Sequence, residues 1–179
     1  MTRKLVMATL VLACAATFAR ADEKHGLFIG GAAGYGSQEL SISTGNFQDN
    51  TTAWKGFVGY RLMRFIGFEA AYVDFGNASD TISGTDFSLK TTGETAEVVG
   101  TIPLGSFLEI YGKAGYLWWN AKGDDSTNTD TTTGNDPVYG AGAKIIFAKK
   151  MGLRLEYEQF DIKDTKKVYL VSAGFEWRF

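Results

Sequence analysis

Two glutamates, Glu156 and Glu158, are the side chains best placed for chemistry, because they lie two positions apart in a segment of alternating residues. Paired carboxylates can perform acid–base catalysis. Here Arg154 precedes them at the same spacing, so salt bridging is the favoured interpretation. The only histidine, His25, lies near the N-terminus, where it is expected to be solvated. No Ser–His or Cys–His pair can assemble further along the chain, and no enzymatic activity is expected.

An acidic, oxygen-rich segment from Gly123 to Asp136 is the candidate for metal binding. Carboxylates and carbonyls are calcium ligands, but the segment lacks the spacing of an EF-hand loop. We interpret it as a solvated loop and expect neither a metal nor a cofactor.

The N-terminus has the parts of a secretory signal peptide. Basic residues and an apolar stretch that ends at Phe18 precede Ala19-Arg20-Ala21, which is an A-x-A cleavage pattern. We predict that residues 1–21 are removed, so that residues 22–179 form one domain. Two alternatives stay open: an uncleaved anchor, and lipoprotein processing at Cys14, the only cysteine.

The composition favours a β protein without a nucleic-acid partner. Aromatic residues make up 14% of the chain, which has 22 glycines and only two prolines. After the signal peptide, no apolar run approaches the roughly 20 residues that a membrane-spanning helix needs. The net charge of −2 provides no basic surface for nucleic acid.

Segments of alternating side chains predict eight strands, and the connections between them alternate in length. The predicted strands are 26–36, 53–62, 65–75, 87–102, 107–119, 138–148, 152–160 and 168–179. The short connections are 63–64, 103–106 and 149–151, and the longer polar ones are 37–52, 76–86, 121–137 and 161–167. Short turns at one end and long loops at the other are typical of a transmembrane β-barrel.

The side chains of these strands divide into an aromatic face and a face of small and charged residues. In the last strand, Phe175, Trp177 and Phe179 alternate with Glu176 and Arg178. Successive side chains point to opposite sides of a sheet. We place the aromatic face against lipid and the charged face inside. A soluble barrel with an oily interior has the same alternation, but the signal peptide and the connection lengths favour the membrane.

A free strand edge cannot be satisfied in hydrocarbon, so the sheet is expected to close on itself. The sequence therefore predicts an all-β fold, an eight-stranded antiparallel up-and-down transmembrane β-barrel. Gly30, Gly31, Gly34 and Gly36 in the first strand fit close approaches at the seam where that strand meets the last one.

Short segments in a fixed order resemble the transmembrane domain of the OmpA family. They are Gly59–Leu62, Ile66–Gly76, Leu108–Tyr111, Pro137–Tyr139, Arg154–Tyr157 and the C-terminal Trp177-Arg178-Phe179. The resemblance covers nearly all of the mature chain except its loops. It implies an eight-stranded barrel in the outer membrane of a Gram-negative bacterium, with an interior too narrow for a water-filled channel. Many members carry a peptidoglycan-binding domain after the barrel, but this chain ends at Phe179, so no tether of that kind is expected.

The resemblance also implies a salt-bridge network in the interior, which Glu69, Arg154 and Glu156 match. Lys144 stands where an acid is usual in the family, and Val99 stands where a lysine is usual. We therefore expect a rewired network, with Lys144 paired to Glu69 or Glu97, and do not carry over the gating mechanism of the family.

Alternation places charges of both signs inside the barrel. Six basic and five acidic positions are expected there: Lys55, Arg61, Lys113, Lys144, Arg154 and Arg178, with Glu69, Glu97, Glu156, Glu158 and Glu176. An unpaired buried charge is costly, so these side chains should pair and plug the lumen. A small or gated conductance is the alternative.

The C-terminal aromatics Phe175, Trp177 and Phe179 resemble the signal that the barrel-assembly machinery reads, although a lipid-facing last strand would explain them equally. Phe47 and Trp54 are expected in the aromatic belt at the outer interface.

The leading functional expectation is a monomeric structural or interaction protein among outer-membrane lipid and lipopolysaccharide, with loops that could contact a host or a phage. A minor pore or a carrier of small hydrophobic molecules is the alternative. The lack of histidine in the barrel argues against the lipid A-modifying barrel enzymes, which rely on it.

Overall fold

The chain folds into one closed barrel of eight antiparallel strands, as a computed structural model shows. The structure describes residues 26–42, 45–82, 85–125, 128–148, 150–161 and 168–179. The strands are β1 (Gly26–Ile42), β2 (Gly45–Arg61), β3 (Ile66–Ile82), β4 (Thr85–Leu104), β5 (Leu108–Asp125), β6 (Asn128–Phe147), β7 (Met151–Phe160) and β8 (Val168–Arg178). The predicted fold class is confirmed. The predicted signal peptide, Cys14 and His25 lie outside the described residues.

Three of the predicted long loops are wrong, because paired strands occupy most of their length. The pairing of β1 with β2 continues to Ile42 and Gly45, and the pairing of β3 with β4 continues to Ile82 and Thr85. Strands β5 and β6 likewise stay paired as far as Asp125 and Asn128. These segments lack the alternation of apolar and polar residues that marks a strand in the sequence. The polarity of successive side chains alternates only where one face of the strand meets an apolar environment. Backbone pairing between strands does not depend on that environment. The fourth loop, 161–167, lies almost wholly outside the described residues.

The barrel closes where β1 pairs with β8, in a register that runs from Phe28 opposite Arg178 to Gln38 opposite Val168. Beyond the last strand, the Phe179 N–H donates to the Leu27 carbonyl at 3.1 Å. Both edges of the sheet are thereby satisfied along the seam, as a hydrocarbon surrounding requires.

Alternation sorts the side chains between the two walls as the sequence predicts. Phe68 is 50% exposed on the outer wall while its neighbour Glu69 is 3% exposed inside, and Tyr157 and Glu158 differ in the same way. On β8 the outer apolar face runs from Tyr169 to Phe179. At about 3.4 Å per residue and a tilt of about 40°, that face is roughly 25 Å tall, the height of the apolar band of an outer-membrane barrel.

The two ends of the barrel differ. One end has the tight turns at 62–65 and 105–107 and the short connection from β6 to β7, and the opposite end has the three long hairpins. Gly105 supplies the positive φ (82°) that the second turn requires. No helix in the described ranges is long and apolar enough to cross a membrane.

A β-bulge marks the point where β3 leaves the apolar band. The register with β4 shifts between Asp74 and Asn77, Gly76 adopts a φ of 80°, and its N–H donates to Asp74 Oδ1 at 2.9 Å. Such a bulge increases the local twist of a strand.

A substitution at Gly34 tests how tightly β1 and β8 pack at the seam. A Cβ at this position would clash with the Val171 carbonyl oxygen and lie 2.6 Å from Ser172 Cα, so neither neighbour can yield without moving β8. We expect Gly34→Ala to lower the free energy of unfolding by about 1–3 kcal/mol. The measurement is urea unfolding from phospholipid vesicles.

The matched control is Gly31→Ala on the same strand, where the nearest atom to a Cβ is the Lys55 carbonyl oxygen at 3.6 Å. It should leave the unfolding midpoint nearly unchanged. Equal effects of the two substitutions would show that the seam is not sterically limiting.

Candidate functional site

Among the described residues, twelve charged side chains lie in the interior of the barrel, between the tight turns and its middle. The six cations are Lys55, Arg61, Lys113, Lys144, Arg154 and Arg178, and the six carboxylates are Glu69, Glu97, Glu109, Glu156, Glu158 and Glu176. Six charges of each sign sum to zero. Every one of them forms a salt bridge, as burial of charge in a narrow space demands.

The lowest level of this network, next to the tight turns, centres on Glu109 and Glu176. Glu109 accepts two bonds from the Arg61 guanidinium at 2.7 Å and one from Arg178 at 2.7 Å. Lys144 Nζ bridges the two glutamates, at 3.0 Å from Glu109 and 2.8 Å from Glu176. The paired two-nitrogen contact of Arg61 is the geometry in which a guanidinium binds a carboxylate most specifically.

Arg154 occupies the middle level, between two aromatic rings. Its guanidinium carbon lies 4.2 Å from the Phe57 ring centre and 4.8 Å from that of Tyr111, and Nε donates to the Tyr111 hydroxyl at 3.0 Å. Nη1 donates to Glu69 at 2.7 Å. Stacking on two rings and a charge-assisted bond fix the position of this side chain.

Lys113 is the hub of the upper level. Its Nζ lies 2.7 Å from Glu158, 2.8 Å from Glu156, 3.1 Å from Glu97 and 3.2 Å from Glu69. Lys55 adds a second ammonium, 3.0 Å from Glu156 and 2.6 Å from Glu158. Two lysines therefore neutralise a cluster of carboxylates that would otherwise repel one another.

Above the charges, toward the long hairpins, the interior becomes apolar. This apolar cap consists of Ala53, Val73, Phe75, Leu117, Val138, Phe160, Val168 and Leu170, all of them buried. Phe75 and Phe160 meet edge to face with ring centres 5.1 Å apart. Trp119 packs against the cap and donates its indole N–H to Asp136 at 2.7 Å.

Little space is left between the packed groups at the lower levels. A cavity of about 20 Å³ lies among Phe28, Tyr111, Lys144 and Arg154. That volume accommodates about one water molecule.

All seven residues predicted for the lumen network lie inside the barrel, but the predicted pairing of Lys144 is wrong. Its partners are Glu176 and Glu109, not Glu69 or Glu97. The register explains the difference: Lys144 stands opposite Glu109 on β5, whereas Glu97 stands opposite Gly115, six residues further up that strand.

Glu109 is the charged residue that the sequence analysis missed. It lies four positions before Lys113 on β5, so alternation alone assigns both to the same wall. The apolar cap was missed too, although Val168, Leu170 and Val73 share the alternation of the buried charges.

The other candidates take no part in this network. Trp54, Phe175 and Trp177 stand on the outer wall, and the side chains of Phe47 and of residues 122–130 lie outside those described. Among the described side chains, no group of three His, Cys, Asp or Glu residues could hold a metal ion. The Glu156–Glu158 pair is engaged by lysines, as in the salt-bridge interpretation.

A closed eight-stranded barrel with an apolar outer band and a buried ionic interior defines a small transmembrane β-barrel. Residues 5–179 match the model of the outer membrane protein beta-barrel domain, and the chain belongs to that family. It is an OmpA-like barrel of the outer membrane, in a family of structural proteins rather than enzymes.

The curated relatives of this chain are longer proteins. The chain is 25% identical over 198 residues to outer membrane protein A of Shigella dysenteriae, covering 100% of this chain and 56% of the relative. It is 27% identical over 136 residues to the protein of the same name from Yersinia pseudotuberculosis, covering 69% and 38%. The chain thus spans about half or less of the length of the relatives it matches.

Solved structures share the fold at lower identity. Neisserial surface protein A superposes with a TM-score of 0.70 at 18% identity, covering 86% of this chain and 97% of that one. Ail of Yersinia pestis gives 0.63 at 18% identity, covering 86% and 99%. OprG of Pseudomonas aeruginosa gives 0.63 at 14% identity, covering 87% and 98%.

Lys113 should be the most sensitive position of the lumen. In Lys113→Met, three of its carboxylate partners keep Lys55 or Arg154, but Glu97 loses the cation that it contacts in the described network. The free energy of unfolding should therefore fall by about 3–5 kcal/mol. Urea unfolding from phospholipid vesicles measures the loss. Lys150→Met, at an exposed turn, is the matched control and should be neutral.

A second substitution separates charge from packing. Lys113→Met combined with Glu97→Gln removes the unpaired carboxylate and again balances cations and carboxylates, so it should recover part of the lost stability. If the double variant is no more stable than Lys113→Met, the stabilisation by Lys113 is not electrostatic.

Proposed function

We propose that the protein is a structural barrel with a closed lumen, which holds β-hairpins above the outer membrane. Two successive barriers support the closed state. The charged network fills the lower lumen, with Lys113 at its hub, and the apolar cap around Leu117 and Phe160 fills the lumen above it. An ion would have to displace paired charges and then enter a hydrophobic constriction.

Planar-bilayer recording tests the closed lumen. The wild-type barrel should show no steady open state, because neither barrier leaves an aqueous path. A variant with Leu117→Ala, Phe160→Ala, Lys113→Ala and Glu158→Ala removes one charge of each sign and thins both barriers, so it should conduct more often. Heat-modifiable migration on gels confirms that each variant is folded. A steady, large conductance of the wild-type barrel would favour the pore instead.

The paired extensions of β1 to β6 support the role in display. They carry backbone pairing beyond the apolar band, as far as Ile42 with Gly45, Ile82 with Thr85 and Asp125 with Asn128, so most of each hairpin is paired strand rather than free loop. Hairpins that are already ordered lose less conformational entropy when a partner binds than free loops do.

The charge of these extensions constrains the partner. Segment 37–52 (Glu39, Asp49) carries a net charge of −2, and so does segment 121–135, with Lys122 against three aspartates. Segment 76–90 (Asp80, Asp86, Lys90) carries −1. Ail of Yersinia pestis has been crystallised with sucrose octasulfate, a heparin analogue. Acidic hairpins repel such polyanions, so a cationic or neutral partner is the better match here.

The proposed function includes a route of export and assembly. Residues 1–21 are proposed to be removed on export, and the C-terminal Phe175, Trp177 and Phe179 to be read by the barrel-assembly machinery. The mature barrel is proposed to be a monomer among lipid and lipopolysaccharide. The three aromatic side chains stand on the outer wall, where another protein can reach them.

Phe179→Ala tests the assembly signal while retaining the backbone bond to Leu27. The side chain is 55% exposed, so its loss should hardly affect refolding in detergent. In cells, accumulation of the heat-modifiable barrel should slow severalfold. Phe107→Ala, which removes a 62% exposed ring at the same end of the barrel, is the control and should leave both rates unchanged. A similar delay for both variants would argue for a general loss of apolar surface.

A further inference from the structure

A polar groove on the outer wall is not explained by a closed structural barrel. Its volume is about 820 Å³, and it lies across β4, β5 and β6 beside the aromatic belt. Glu94, Trp118 and Asn135 form its lower rim and stand opposite one another in register. Tyr72, opposite Glu94 on β3, closes one side. Two interstrand spacings make this rim about 10 Å wide.

The upper rim consists of neutral hydrogen-bonding side chains. Thr92, Asn120 and Thr133 pair in register one step above Glu94, Trp118 and Asn135. Between the two rims the groove is lined by Gly93, Trp119 and Gly134, which stand side by side in register. Residues at these positions face inward, where Leu117 and Trp119 fill the space at the two glycines, so no side chain of this row projects into the groove. The groove therefore offers hydroxyls and amides on one side and an aromatic ring with a carboxylate on the other.

Glu94 is out of place on this wall. From Ala96 to Leu104 the outward residues of β4 are all apolar, yet Glu94 is exposed directly above them. A carboxylate at the edge of hydrocarbon is costly, and residues of this kind usually mark a functional site. The carboxylate also disfavours a phosphate in the groove, because the two charges repel.

Below the groove the same strands carry a strip of small residues that is flanked by the exposed side chains of Val98, Tyr116 and Tyr139. Gly100, Gly112 and Ala141 stand side by side in register, and Ala96 and Ala114 lie above them on β4 and β5. A Cβ added at Gly100 or Gly112 would have its nearest neighbour at 3.9 or 3.8 Å, so nothing covers this strip. An extended acyl chain can lie against such a surface at bilayer depth.

We infer that the groove binds the sugar headgroup of a glycolipid whose acyl chains lie on the strip below it. One face of a pyranose ring carries C–H bonds, and these pack on the electron-rich face of Trp118 or Tyr72. The ring hydroxyls donate to Glu94 and exchange hydrogen bonds with Asn120 and Asn135. A free saccharide has the same ring chemistry, but only a lipid uses both the groove and the strip.

The test uses the folded barrel in nanodiscs of phosphatidylglycerol, a host lipid with neither a sugar nor an ammonium group. Diglucosyl diacylglycerol is titrated in while amide and indole NMR shifts are recorded. Saturable shifts are expected at residues 92–94, 118–120 and 133–135. Trp118→Ala and Glu94→Gln should each weaken the binding about tenfold. Tyr35→Ala, on β1 across the barrel, is the matched control and should change nothing.

Three comparisons can overturn the inference. The first is diacylglycerol without the sugar, which should cause no saturable shift. The second is the free disaccharide; if it binds as tightly as the glycolipid, the ligand is a soluble glycan. The third is phosphatidylethanolamine; if it alone shifts these residues, the groove recognises an ammonium group through Glu94 and Trp118. Shifts spread evenly around the belt would show ordinary partitioning rather than a site.

Discussion

The structure depends on one constraint: within hydrocarbon, no backbone N–H or carbonyl can be left without a partner, and each failure costs several kcal/mol. The pairing of β1 with β8 meets it by removing both edges of the sheet. Closure at eight strands then fixes the diameter, and the diameter fixes how much the interior can hold. Glycines at the seam, such as Gly34, follow from the same requirement, because β1 and β8 must approach closely to bond along their whole shared length.

A narrow interior explains why its charges are balanced. Ions buried in a confined space are tolerated only when each has partners at hydrogen-bonding distance. Removing Glu109 from the count would leave six cations with five carboxylates, and Arg61, Arg178 and Lys144 would lose a shared acceptor. Neutrality of the set of twelve is thus a property of the packed barrel and not of any one salt bridge. The same packing leaves room for little more than a water molecule at the lower level.

The sequence predicted the strands, the closure and the wall on which most charged residues lie, because alternation is a local property of the chain. It did not predict the partners of Lys144, since these depend on the stagger between strands that only the closed barrel defines. The long hairpins were missed because polarity was used to detect strands, and polarity stops alternating where both faces meet water. Glu109, by contrast, could have been predicted from the sequence, because alternation places it on the same wall as Lys113.

The apolar cap shows that the chain reverses its arrangement of polarity at the edge of the membrane. Within the apolar band, aromatic residues face out and charges face in. At the level of the cap, Leu117 and Phe160 are buried inside while polar side chains such as Asn135 and Asp161 face out. The apolar band is stable only in lipid, because its apolar side chains face outward. The level of the cap is stable only in water, because its apolar side chains face the interior. The reversal therefore sets the depth of the barrel in the bilayer, since a shift in either direction would expose apolar surface to water or bring charge into hydrocarbon.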